Sequence, residues 1–125
     1  GNAAYSATKS AALSFAESLA ISHMDDGIKV SAVCPQYVAT EMLGYSKIKK
    51  EALSTRLLSP NQVAESILDG LRTETFLILP HPEVRKFMQF KFSSYDKWLI
   101  AMNRLRRKAL EQTGDLDIKN IHKVT

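Results

Sequence analysis

Two residues one helical turn apart, Tyr5 and Lys9 in the run Ala4-Tyr5-Ser6-Ala7-Thr8-Lys9, carry the clearest chemistry in this sequence. A helix brings positions i and i+4 onto one face, so a phenol and an ammonium stand together. A positive charge beside a phenol favours the phenolate, and the hydroxyl can then exchange a proton with a carbonyl or alcohol oxygen near neutral pH. The bare spacing also describes an ordinary solvated Tyr and Lys on a helix. The surrounding residues decide between the two readings.

Tyr5-Ser6-Ala7-Thr8-Lys9-Ser10-Ala11-Ala12-Leu13 resembles, over its whole length, the active-site helix of the short-chain dehydrogenase/reductases. Further on, Val30-Ser31-Ala32-Val33-Cys34-Pro35-Gln36-Tyr37-Val38-Ala39-Thr40 resembles that family's strand and the Pro-Gly-x-Val-x-Thr cofactor loop that follows it. The order and separation of the two matches are also those of the family. The resemblance implies an NAD(P)-dependent oxidoreductase acting on an alcohol/carbonyl pair. By it, Tyr5 and Lys9 are the catalytic residues, and Lys9 also bonds the nicotinamide ribose. Pro35, Val38 and Thr40 hold the nicotinamide end: Val38 offers its backbone to the carboxamide, and the Thr40 hydroxyl bonds the carboxamide or a phosphate. On residue types alone, Thr40-Glu41 is also an ordinary helix cap.

The sequence departs from the family pattern in two respects. No Gly-rich dinucleotide turn occurs, since the five glycines stand singly at 1, 27, 44, 70 and 114, and the serine that partners the tyrosine has no counterpart. Gln36 stands where the family has glycine, which places a side chain beside the expected cofactor position. The expected fold class is therefore α/β, the C-terminal part of a Rossmann-type doubly wound parallel sheet with a C-terminal helical extension. The expected organisation is a half-domain over 1–82, a basic amphipathic extension over 83–112 and a flexible tail over 113–125. Such a half would be inactive alone. NAD and NADP cannot be distinguished, because the ribose-reading residue has no counterpart here.

The elements that position these residues are legible in outline. Ala3 to Met24 reads as a helix with apolar residues on more than one face, expected to be buried against a sheet on one side and a second subunit on the other. Asp25-Asp26-Gly27 ends it. Ile28 to Cys34 reads as a buried parallel strand that Pro35 stops. Glu41 to Leu58 takes the position of the family's variable substrate lid, and its lysines at 47, 49 and 50 read as a solvated side or as an anion-binding feature. Ser59-Pro60 opens a helix running to about Arg72 or Thr73. Phe76 to Leu79 reads as a short strand, and His81, between Pro80 and Pro82, as a surface residue in a rigid turn.

Glu83 to Gln112 has helical periodicity, with Ser93-Ser94 marking a bend. From Arg85 to Lys108 eight Lys/Arg and one acidic residue give +7, against +4 for all 125 residues. Phe90, Phe92 and Trp98 lie among these charges, as they would in a nucleic-acid or membrane surface. They also fall near the apolar helical positions, which favours core or partner packing over either. A single cysteine excludes an internal disulfide and any Cys/His metal spacing, and suits a reducing cytoplasm. The partners expected are a small-molecule alcohol or ketone and a second copy of the chain, with neither nucleic acid nor membrane. The contrasting reading, from another class, is a non-catalytic oligomerisation module.

Overall fold

Asn2 opens the first helix, where its Oδ1 accepts a hydrogen bond from the Tyr5 N–H at 3.1 Å and satisfies one of the free donors of the first turn. The computed structural model describes residues 2–45 and 56–124. Along the chain run α1 (Ala3–His23), β1 (Ala32–Val33), β2 (Tyr37–Val38), a 3-10 turn (Glu41–Leu43), β3 (Leu57–Leu58), α2 (Pro60–Arg72), β4 (Leu77–Ile78), α3 (Val84–Ser93), α4 (Tyr95–Thr113) and α5 (Ile118–Ile121). All strand pairing among the described residues is parallel, β1 with β4 and β2 with β3, which makes the fold α/β. Most of the lid region expected over 41–58 lies outside the described residues.

The chain divides into two compact units. In the unit built from 2–35 and 61–80, Ala32 pairs with Leu77 and Val33 with Ile78. Bonds from Ala32 N–H to Phe76 C=O and from Cys34 N–H to Ile78 C=O extend the pairing at each end. The strand expected over Ile28–Cys34 is thus paired only in its second half. A strand forms where a neighbour offers its backbone, and β4 reaches only this far. Apart from Pro80, Ile78 is the unit's one buried apolar side chain among the described residues. It meets α2 at Gly70, where the backbone comes so close that a Cβ would lie 2.5 Å from both Ile78 Cδ1 and Cγ1.

The burial of α1 against the sheet of its own chain is not found. The helix has no buried residue, and Phe15, Ile21 and Met24 are each about two-thirds exposed or more, at 66%, 76% and 65%. Its residues are small and apolar all round, as the sequence suggested, but its unit supplies little to cover them.

The other unit is built from 36–60 and 81–125. Tyr37 pairs with Leu57 and Val38 with Leu58, a pairing the sequence did not announce. Ala39, Leu43 and Leu57 form its small core, with Tyr37 and Tyr45 packed against it. Gly44 closes the 3-10 turn in the left-handed conformation, at φ 84°. The break between α3 and α4 falls at Ser94, whose N–H donates to Phe90 C=O while its own carbonyl accepts from Trp98 N–H. The stretch read from the sequence as a flexible tail holds α5, a single turn too short to show periodicity. Asp117 caps it through the Lys119 N–H. His122 Nδ1–H then donates to Ile118 C=O, leaving Nε2 to accept from the Tyr45 hydroxyl at 3.0 Å.

Gly70→Ala is expected to destabilise the protein even though alanine favours helix, because buried Ile78 has little room to withdraw. The loss should be about 1–2 kcal/mol by denaturant titration. Ile78→Val in the same chain should recover part of it.

Candidate functional site

Tyr5 sits in the first turn of α1 and Lys9 one turn later. The helix stacks them as the spacing required, with Lys9 Nζ 5.4 Å from the centroid of the Tyr5 ring. The Asn2 cap fixes the turn from below, and the Thr8 hydroxyl donates to Tyr5 C=O at 2.8 Å from above. Both side chains are exposed, so the phenol is open to a partner molecule. A positive charge next to an accessible phenol is an arrangement able to pass a proton to an oxygen. Pro35 follows β1 in the same unit.

Val38 and Thr40 lie in the other unit, and the structure explains how their loop is held. His81 is fully buried, which corrects the expectation of a surface histidine. Its Nδ1 accepts from Gln36 N–H and its Nε2–H donates to Tyr37 C=O, each at 3.1 Å. The neutral ring thus satisfies one donor and one acceptor of adjoining residues, something the two flanking prolines could not reveal. Thr40 does stand at the cap position of the 3-10 turn, but its side chain makes no cap bond. The hydroxyl donates instead to Val38 C=O at 3.3 Å, so the two residues are joined within the loop.

Gln36 does not have a positive φ; Glu74 is the only described non-glycine residue that does. The backbone here therefore needs no glycine for its conformation. Cys34 is a weak candidate nucleophile, since partial burial raises its thiol pKa and keeps it protonated at neutral pH. Among the described residues no group of three or more His, Cys, Asp or Glu is placed to hold a metal ion, and no helix is long and apolar enough to cross a membrane.

Beside the loop, and within the same unit, lies a cavity of about 800 Å³. Gln36 and Tyr37 form part of its wall, and Phe87, Phe90, Trp98 and Met102 are among its apolar lining residues. The rings interleaved with basic residues are thus partly turned inward. Lys91 Nζ stands 4.8 Å from the Trp98 ring centroid and 5.5 Å from that of Tyr95, so its charge is engaged by the chain's own aromatics.

Comparison with known proteins places the first part of this chain. Residues 1–51 match the short chain dehydrogenase family, and every candidate residue named from the sequence falls within them. A stretch of 42 residues is 45% identical to the oxidoreductase UcpA of Escherichia coli K12, and equally to that of Escherichia coli O157:H7. It covers 34% of this chain and 16% of either relative, so the likeness to these oxidoreductases concerns one segment. No solved structure matches the chain.

The His81 bridge generates a contrast. His81→Leu removes both bonds and strands two buried backbone groups, which should cost about 2–4 kcal/mol in chemical denaturation. Gln36→Gly keeps the bridge, because the donor is a backbone N–H, and should cost no more than about 1 kcal/mol.

Proposed function

We propose that this chain carries the catalytic helix and the nicotinamide-side loop of a short-chain dehydrogenase/reductase that interconverts an alcohol and a carbonyl compound. The observation that carries the reading is the Tyr5–Lys9 stack inside a segment matching that family. Tyr5 gives a proton to the substrate oxygen in reduction and takes one in oxidation. Lys9 supplies the positive charge that a phenolate needs and reaches the ribose hydroxyls of the cofactor. Val38 and Thr40 hold the carboxamide end, with Pro35 setting the start of the loop. When bound, NAD or NADP supplies the hydride exchange.

The residues present fit the nicotinamide end of such a cofactor. They offer nothing for its pyrophosphate, since Gly27, Gly44 and Gly114 each stand alone at a turn or helix end and Gly70 lies inside α2. The pyrophosphate of a dinucleotide rests on a glycine-rich turn and a helix N-terminus. These 125 residues by themselves are accordingly expected to show no NAD(P) binding and no turnover, with α3 and α4 extending the half-domain at its C-terminal side. We place the protein in the cytoplasm, where a lone thiol stays reduced.

A second reading is favoured by the bare face of α1: this helix is a contact between copies of the chain. Buried against a twin, Phe15 and Ile21 would leave water. In sedimentation the 125-residue chain should self-associate, and Phe15→Lys should shift it toward monomer.

The catalytic test belongs to the protein expressed from its complete reading frame. Tyr5→Phe should lower turnover by about 10²–10⁴-fold while cofactor affinity changes little, because only the transferable proton is lost. Lys9→Ala should impair both. Near-full activity of Tyr5→Phe in a steady-state assay would overturn the mechanism.

A further inference from the structure

The pair of helices α3 and α4 combines unneutralised positive charge with uncovered apolar surface. Between Arg85 and Lys108 eight Lys/Arg stand against one acidic residue, Asp96, and none of the eight forms a salt bridge with a described residue. Around the break at Ser94, Phe92 is 73% exposed, and Tyr95, Leu99 and Ile100 each expose half of their surface or more. Inward packing is met by half-buried Trp98 but not by these four. The aromatic part of the group is held together before any partner arrives. Lys91 Nζ, already against Tyr95 and Trp98, stands 6.0 Å from the Phe92 ring centroid, and the Tyr95 and Trp98 rings meet edge to face with centroids 5.5 Å apart. Exposed cations flank the group in both directions, Arg85 and Lys86 at the start of α3 and Arg104, Arg107 and Lys108 in the second half of α4.

We propose that the α3–α4 pair docks on the surface of an anionic phospholipid bilayer, with Phe92, Tyr95, Leu99 and Ile100 entering the headgroup boundary and the flanking cations meeting the lipid anions. Charge complementarity selects this occupant, because positive charge set beside exposed rings and aliphatic side chains matches an interface that is anionic outside and hydrocarbon beneath. A second copy of the same surface would set +7 against +7. Nucleic acid would answer the charge and the rings, but Leu99 and Ile100 have no flat face to stack on a base. Hydrocarbon accepts all four side chains. The contact is peripheral, since no described helix is long and apolar enough to cross a membrane. Both helices lie outside residues 1–51, the segment that matches the dehydrogenase family, and the binding is independent of the reaction proposed above.

The test is flotation of the protein expressed from its complete reading frame with vesicles of phosphatidylcholine, alone or with roughly one third phosphatidylserine. Binding to the anionic vesicles should be saturable, at least about tenfold tighter than to the neutral ones, and weaker as salt is raised. The triple variant Arg104→Gln, Arg107→Gln, Lys108→Gln should bind about tenfold or more weakly, each cation near an anionic surface being worth about fivefold. The double variant Phe92→Gln, Leu99→Gln should lose about fivefold or more without melting at a lower temperature, since both side chains already meet water. Phe92→Trp gives a readout that does not depend on lost binding: its emission should shift to the blue on anionic vesicles as the ring leaves water. No binding, equal binding to both kinds of vesicle, or a double variant that binds as the wild type does would each overturn the proposal. So would tighter binding of a single-stranded oligonucleotide than of the anionic vesicles, which would make this a nucleic-acid surface. A lipid-free dimer in sedimentation that the double variant dissociates would make it a contact between copies and overturn the proposal equally.

Discussion

A buried imidazole bridging two adjoining peptide groups is the constraint on which the unit built from 36–60 and 81–125 depends. His81 meets Gln36 N–H and Tyr37 C=O from a position 45 residues further along the chain, and it does so with no exposure to water. The cost of burying a polar ring is offset only while both nitrogens are paired. The bridge thereby fixes a tautomer, with Nδ1 accepting and Nε2 donating. It also fixes where the segment leading into β2 lies relative to the segment leading into α3. The parallel pairing of β2 with β3 and the Thr40–Val38 bond lie in the stretch of backbone that begins at this bridge.

The other unit faces the opposite problem, having good local structure and little to bury. α1 is capped, continuous over 21 residues and rich in alanine, so its backbone is favoured by its own sequence. Yet hydrophobic burial stabilises a domain far more than propensity does. With Ile78 and Pro80 the unit's buried apolar residues among the described residues, Phe15, Ile21 and Met24 are left largely uncovered by the unit itself. The same exposure leaves Tyr5 and Lys9 accessible.

What was legible in the sequence was local. The four-residue step that stacks Tyr5 with Lys9, the start of α2 at Pro60 and the break at Ser94 depend on neighbours within a turn or two. Chain-distant features were not legible. Nothing in Pro80-His81-Pro82 says that its histidine meets residues 36 and 37, and the two-residue strands Tyr37–Val38 and Leu57–Leu58 are too short to show alternation. The single turn of α5 lacks periodicity for the same reason, although Asp117 and the pair formed by Tyr45 and His122 hold it in place. The strand over Ile28–Cys34 was overread because apolar, β-branched composition marks a preference for burial and cannot supply the partner strand.

Gln36 ties these observations together. Glycine at this place in the family pattern has two possible physical reasons, a left-handed backbone or the close approach of another group. The first does not operate here, since the residue has no positive φ. Its N–H is committed to His81, a bond any residue but proline could make, so the backbone role is independent of the side chain. What glutamine adds is therefore confined to the space it occupies, and that space is the wall of the apolar cavity. The backbone of this segment therefore accommodates glutamine as readily as glycine.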